Sequence, residues 1–174
     1  MNIKTVKVGF LGTNCYIISL NNQCLIVDPG ADSDKIIESV QDNEVIGILL
    51  THEHFDHIGA LEKIKQKYKV PVYKKDSVKE NDYQIGSLNF EVIFTPGHTS
   101  DSITFYFKDF DTMFTGDFLF CQTIGRTDLP TGNVSNMEKS IDKMKSYKGC
   151  IKIYPGHGKD STLEFEFNNN PYFK

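Results

Sequence analysis

All five histidines of this 174-residue chain fall in short stretches that also hold acidic residues or glycine, and none is left for ordinary structural duty. His52, His54 and His57 share Thr51-His-Glu-His-Phe-Asp-His57 with Asp56, His98 lies in Thr-Pro-Gly-His-Thr, and His157 lies in Tyr-Pro-Gly-His-Gly. Asp117, in Thr-Gly-Asp, brings the set to seven nitrogen or oxygen donors, enough for two cations. A chain built this way must fold so that positions 52 to 157 meet at one place. Imidazole and carboxylate donors suit zinc, iron or manganese, and neutral histidine suits zinc well. Chance clustering of every histidine beside carboxylates and glycines is a poor alternative.

Hydrophobic patterning shows how the donors can be brought together. Residues 3–8, 14–20 and 23–28 are rich in Val, Ile, Leu and Tyr and are separated by Gly and Asn turn signals, which predicts an antiparallel meander. Residues 34–42 have helical spacing with Asp32 or Ser33 as N-cap, 45–50 read as a buried strand, and 58–68 as a helix. Further on, 88–94, 102–107 and 112–114 read as strands, 134–146 as a helix, 150–154 as a strand and 161–167 as a short helix. Strands followed by helices in each half predict two sheets packed face to face with helices outside, in a single domain spanning 1–174. His52, His98, Asp117 and His157 each follow a strand-like run closely, as donors presented from a rigid scaffold do.

Composition narrows the function classes. The net charge of −4 offers no electrostatic reason to bind nucleic acid or an anionic membrane. No signal peptide or apolar membrane span is visible, so a cytoplasmic location is expected. Cys15, Cys24, Cys121 and Cys150 form no Cys-x-x-Cys pair and are expected to be small buried hydrophobes. The zincin pattern His-Glu-x-x-His fails, because Asp56 stands where its second histidine belongs.

The order THEHFDH, TPGHT, TGD and PGHG resembles the metallo-β-lactamase fold superfamily over nearly the whole chain. Within it, GDFLFCQTIGRTDLPTG from Gly116 and PGHGKDSTLEFEFNNNPY from Pro155 resemble the glyoxalase II-like (hydroxyacylglutathione hydrolase-like) enzymes, especially short single-domain ones. The resemblance implies an α+β fold, an αββα sandwich with a binuclear site at one edge. It implies one metal held by His52, His54 and His98, a second by Asp56, His57 and His157, and Asp117 bridging them. Asp56 and Asp117 are then the carboxylates expected to take part in catalysis. Asp28, in Val-Asp-Pro-Gly, is expected either to orient a ligand histidine or simply to form a turn before proline.

Two bound cations lower the pKa of a shared water from about 15.7 toward neutrality and polarise a carbonyl, which makes acyl hydrolysis feasible. With every histidine committed to metal, no free imidazole remains to protonate a leaving group. A thiolate, of parent pKa about 8.5, leaves without that help. A small-molecule thioester is therefore the expected substrate, with a bound water, Asp56 or a tyrosine as remaining acids. Arg126, the only arginine, sits where the family's thioesterases place a basic residue for a substrate carboxylate, or else it pins its loop by pairing with Asp128. Asp128 stands where the larger glyoxalase II enzymes have an aromatic residue, and the chain ends before the position of their helical glutathione-binding domain, which speaks against glutathione as the thiol and leaves the thiol open. The alternatives are persulfide dioxygenation at a mononuclear non-haem iron, whose enzymes share Gly-Arg-Thr-Asp, or another ester or lactone hydrolysis. A β-lactamase or a tRNA-processing role fits less well, and a purely structural metal would favour cysteine.

Overall fold

Side-chain alternation along the second strand decides how the layers stack. The computed structural model describes all 174 residues, Met1 to Lys174. The first sheet contains β1 (Asn2–Val8), β2 (Thr13–Leu20), β3 (Gln23–Val27), β4 (Glu44–Leu49) and β5 (Val72–Tyr73), in that spatial order. On β2, Cys15 and Ile17 point to one face while Tyr16 and Ile18 point to the other, as a period of two requires. The first face packs with Ile36 and Val40 of α1 (Ser33–Val40) and Ile64 of α3 (Leu61–Tyr68), the four-residue α2 (Phe55–Ile58) lying between those helices in sequence.

The second sheet contains β6 (Asp82–Ile85), β7 (Leu88–Phe94), β8 (Ile103–Phe107) and β9 (Thr112–Gly116). After the small hairpin β10 (Leu119–Phe120) and β11 (Thr123–Ile124) and helix α4 (Val134–Met144) come β12 (Lys152–Pro155), β13 (Ser161–Thr162) and α5 (Leu163–Asn169). The spatial order is β13-β12-β9-β8-β7-β6. Tyr16, Ile18, Leu25, Phe90, Phe105 and Phe114 fill the space between the sheets. Each large side chain so buried contributes roughly 1.5–3 kcal/mol. Met113, Ile153, Met137, Ile141 and Leu163 seal the second sheet against α4 and α5. The result is the αββα layering expected of the α+β sandwich, and no helix is long and apolar enough to cross a membrane.

Several expected boundaries shift for identifiable reasons. The helix expected over 58–68 is broken, because the Ala60 N–H donates to Pro29 O at 2.9 Å. Asp32 stands at the start of α1 but does not cap it; its carboxylate accepts instead from Gly9 N at 2.9 Å. Ser161 and Thr162 join a strand, and Thr162 Oγ1 then caps α5 by accepting from Phe165 N at 3.2 Å. β5, β6 and the β10–β11 hairpin were not expected. Cys15 and Cys24 are buried, whereas Cys121 is half-buried and Cys150 exposed.

Candidate metal centre

Two strands running side by side set the geometry of the centre. β9 and β12 pair in parallel with Pro155 opposite Gly116, so the residues that follow, Asp117 and His157, emerge together. Gly116 has φ +51°, the left-handed region that lets the chain turn sharply into Asp117. Gly156 is required by close approach: a Cβ there would overlap Asp117 Oδ1 and lie 2.7 Å from His57 Cε1. On the opposing sheet, β4 leads into Thr51, His52 and His54, and the single turn of α2 presents Asp56 and His57. His98 follows β7 through Thr95, Pro96 and Gly97.

The seven donors expected from the sequence are brought together. His52, His54 and His98 form one set, Asp56, His57 and His157 a second, and His52, His57 and Asp117 a third, with ligand atoms in each set within 4.8 Å of one another. The first set takes His52 and His54 from the loop after β4 and His98 from the loop after β7, and the second takes Asp56 and His57 from α2 and His157 from the turn after β12. Asp117 lies between them: its Oδ2 is 3.6 Å from Nε2 of His98 and 3.6 Å from Nε2 of His157, and its Oδ1 is 3.3 Å from His57 Nε2. His54 Nδ1 and His98 Nε2 are 2.9 Å apart, and His157 Nε2 is 3.1 Å from Asp56 Oδ2.

These residues fit a divalent cation on chemical grounds. His52 Nε2, His57 Nε2 and Asp117 Oδ1 are buried and have no hydrogen-bond partner. Buried polar atoms are normally satisfied, so three orphans facing one another mark a place for a ligand. Their nitrogen and oxygen character matches the donor sets of zinc and iron.

Charge coupling within the cluster is strong. Burial, reinforced by His57, holds His52 well below the usual histidine range. Burial pushes His57 down too, but Asp28 and Asp117 outweigh it and raise His57 to about 10. Against burial, His57 holds the Asp117 carboxyl below its ordinary value. The hydrogen bond to Asp56 raises His157, and, again against burial, that same bond holds Asp56 well below the carboxylate range.

Asp28 contacts a histidine of the cluster and also stands at the turn before proline. Its backbone is left-handed, φ +49°, before Pro29, and its buried carboxylate accepts from His57 Nδ1 at 2.9 Å, Thr51 N at 2.8 Å and Thr51 Oγ1 at 2.6 Å. The Arg126 side chain is exposed and makes two 2.7 Å hydrogen bonds to Asp128, the loop-pinning arrangement. Its carbonyl oxygen, not its guanidinium, meets the cluster, accepting from His98 Nδ1 at 2.8 Å. The sequence pattern does not single out Asn14, the first residue of the strand expected over 14–20, or Thr13, which lies just before it. Thr13 Oγ1 donates to Asp56 Oδ2 at 2.9 Å, and Asn14 Nδ2 donates to Pro155 O at 2.9 Å.

A sequence profile described as the Metallo-beta-lactamase superfamily matches residues 8–83 and 76–157. The chain belongs to that superfamily. Among metallo-β-lactamase superfamily proteins, it is 32% identical to "Probable metallo-hydrolase YqgX" of Bacillus subtilis (strain 168), over 99% of this chain and 97% of the relative. It is 31% identical to "Hydroxyacylglutathione hydrolase GloC" of Haemophilus influenzae, over 99% of this chain and 98% of that one. The crystal structure of the BLEG-1 B3 metallo-beta-lactamase superposes with TM-score 0.95 at 29% identity, covering 99% of each chain. TTHA1623 in a di-iron-bound form superposes with TM-score 0.89 at 27% identity, covering 97% of this chain and 99% of that one. As a superfamily member with this His and Asp cluster, the protein is a metallo-hydrolase in class, with a centre of the kind that holds divalent metal.

Proposed function

We propose that the protein is a cytoplasmic, binuclear metal hydrolase that cleaves a small-molecule thioester, with zinc as its metal and iron or manganese as the other candidates. The observation that carries this reading is the position of Asp117 between the two donor sets. His52, His54 and His98 would hold one cation, Asp56, His57 and His157 the other, and Asp117 both. When bound, such a pair supplies a water of lowered pKa and a Lewis-acid contact for a carbonyl oxygen.

The remaining chemistry falls to the protein's own groups. Asp28 accepts from His57 Nδ1, so Nε2 is the ring atom that faces the cluster, where it would hold a cation in place of its proton. The Arg126 carbonyl does the same for His98. Thr13 Oγ1 and His157 Nε2 both contact Oδ2 of Asp56 and so fix that carboxylate. With every imidazole occupied, none serves as a free acid, which favours a leaving group that departs as its anion, and a thiolate does so. Hydrolysis then consumes one water and yields a carboxylate and a thiol. A cavity of about 380 Å³ beside His157, lined by Phe120, Cys121, Gln122, Thr123, Gly158 and Lys159, gives room for a substrate at the second set. The relative named hydroxyacylglutathione hydrolase supports the thioester class, and the di-iron-bound neighbour supports iron as an alternative metal.

The test pairs metal analysis of protein purified without added metal with turnover on a panel of thioesters, a lactone, a chromogenic cephalosporin and a persulfide with oxygen uptake. Two equivalents of metal and preferential thioester cleavage are expected. One iron per chain with oxygen uptake and no thioester cleavage would overturn the reading.

A further inference from the structure

The Asp56, His57 and His157 donors are braced by a strand that leaves the other set alone. Thr13 Oγ1 donates to Asp56 Oδ2 at 2.9 Å. One side-chain amide spans the turn that carries His157, since Asn14 Nδ2 donates to Pro155 O at 2.9 Å and to Gly158 O at 3.2 Å. Asn14 N donates to Gly156 O at 2.7 Å, and the Tyr16 hydroxyl donates to Pro155 O at 2.6 Å. All three residues are buried, so water competes little for these bonds. In the other set, His98 leans on the Arg126 carbonyl and His52 contacts the Thr51 hydroxyl.

The braced turn has little stiffness of its own. His157 is flanked by Gly156 and Gly158, and its side chain is 28% exposed, against 5% for His98 and 0% for His57. Asn14 Oδ1 is buried without a partner, so that amide is placed by what its N–H groups hold.

We propose that the start of β2, through Thr13, Asn14 and Tyr16, is the positioning element for the Asp56, His57 and His157 position alone. It thereby sets whether the protein carries one cation or two. The inference rests on the two-cation reading above. Its logic is that a ligand histidine on a flexible turn binds weakly unless its neighbours orient it, and that loss of such an orienting group lowers metal affinity about 10–100-fold.

The experiment titrates metal-free protein with cobalt(II), followed by its d–d absorption, and with zinc in competition with a chromophoric chelator. Thr13→Val, Tyr16→Phe and their double variant are compared with the unsubstituted protein, and thermal unfolding of each metal-free form checks that it folds. The first equivalent should bind as tightly in every variant, whereas the second should weaken about 10–100-fold in Thr13→Val and further in the double variant. Asn14→Ala should show the same loss; if it does not fold, the other variants decide. Equal weakening of both equivalents, or no weakening in folded variants, overturns the inference. Uptake of only one equivalent by the unsubstituted protein would instead overturn the two-cation reading itself.

Discussion

Asp28 Oδ2 accepts from His57 Nδ1 at 2.9 Å, and neither side chain is more than 2% exposed. The same oxygen accepts from Thr51 Oγ1, so one carboxylate fixes both a histidine of the cluster and the turn that leads into it. Asp28→Asn keeps the size but offers one acceptor oxygen in place of two. Metal affinity should fall about 10–100-fold. Stability of the metal-free protein should fall by about 1–3 kcal/mol, because a buried group loses its partner. Chelator competition and denaturant unfolding check the two effects, and unchanged values in both would show that Asp28 serves the turn only.

Asp117→Ala should abolish hydrolysis while the protein stays folded. Without the carboxylate between the two sets, two cations would face each other unscreened. Metal content should drop toward one equivalent, read by elemental analysis beside circular dichroism. Full turnover with two metals retained would contradict the role given to Asp117.

Gly156→Ala tests close packing. The added methyl overlaps Asp117 Oδ1 and presses on His57, both of which face the cluster. Overpacking of this kind costs about 1–3 kcal/mol in stability. Activity should suffer more than stability, with turnover lowered at least tenfold, because a shift of about 1 Å at a reacting centre is enough to lower rate on the order of 100-fold. Turnover within twofold of the unsubstituted enzyme would mean that the turn accommodates the methyl elsewhere.

Arg126→Ala should raise KM for an anionic thioester severalfold and leave kcat unchanged, the signature of uniform binding. The guanidinium is exposed and paired with Asp128, so it must give up that partner to reach a substrate. Asp128→Ala should accordingly lower KM, and Arg126→Lys should recover part of the loss, since lysine keeps the charge without the planar fork. If Asp128→Ala and Arg126→Ala both leave KM unchanged, the pair only pins the loop.

Removal of metal should lower the unfolding temperature. A ligand present at about 100 times its Kd stabilises the folded state by about 2.7 kcal/mol per site. Scanning calorimetry with and without chelator measures this, and an unchanged transition would place no cation in the cluster.

The layering and the convergence of the histidines were legible because each leaves a local mark. Cys15 and Ile17 alternate with Tyr16 and Ile18, and every histidine sits beside a turn-forming or acidic residue. What the sequence hid is long-range. β5 and β11 have two residues each and depend on a neighbouring strand for their shape. The break before α3 exists because Ala60 donates to Pro29, a partner about thirty positions away. Asn14 looks like any strand residue until β12 brings Pro155 beside it, and Thr13 gains its meaning only from Asp56, more than forty positions away. Arg126 was legible as a residue of interest, yet the contact that joins it to the cluster is a backbone carbonyl, which no side-chain pattern can announce.

Because each outer donor set draws two residues from the segment that follows β4 of the first sheet and one from a loop of the second, a bound cation would act as a clasp across the mouth of the sandwich. Without the clasp, that edge would be held by the bonds from Asn14 and Tyr16 to the turn after β12. Amide hydrogens near Thr51 and Gly156 should exchange faster in metal-free protein, while those in the Phe90, Phe105 and Phe114 layer keep their protection.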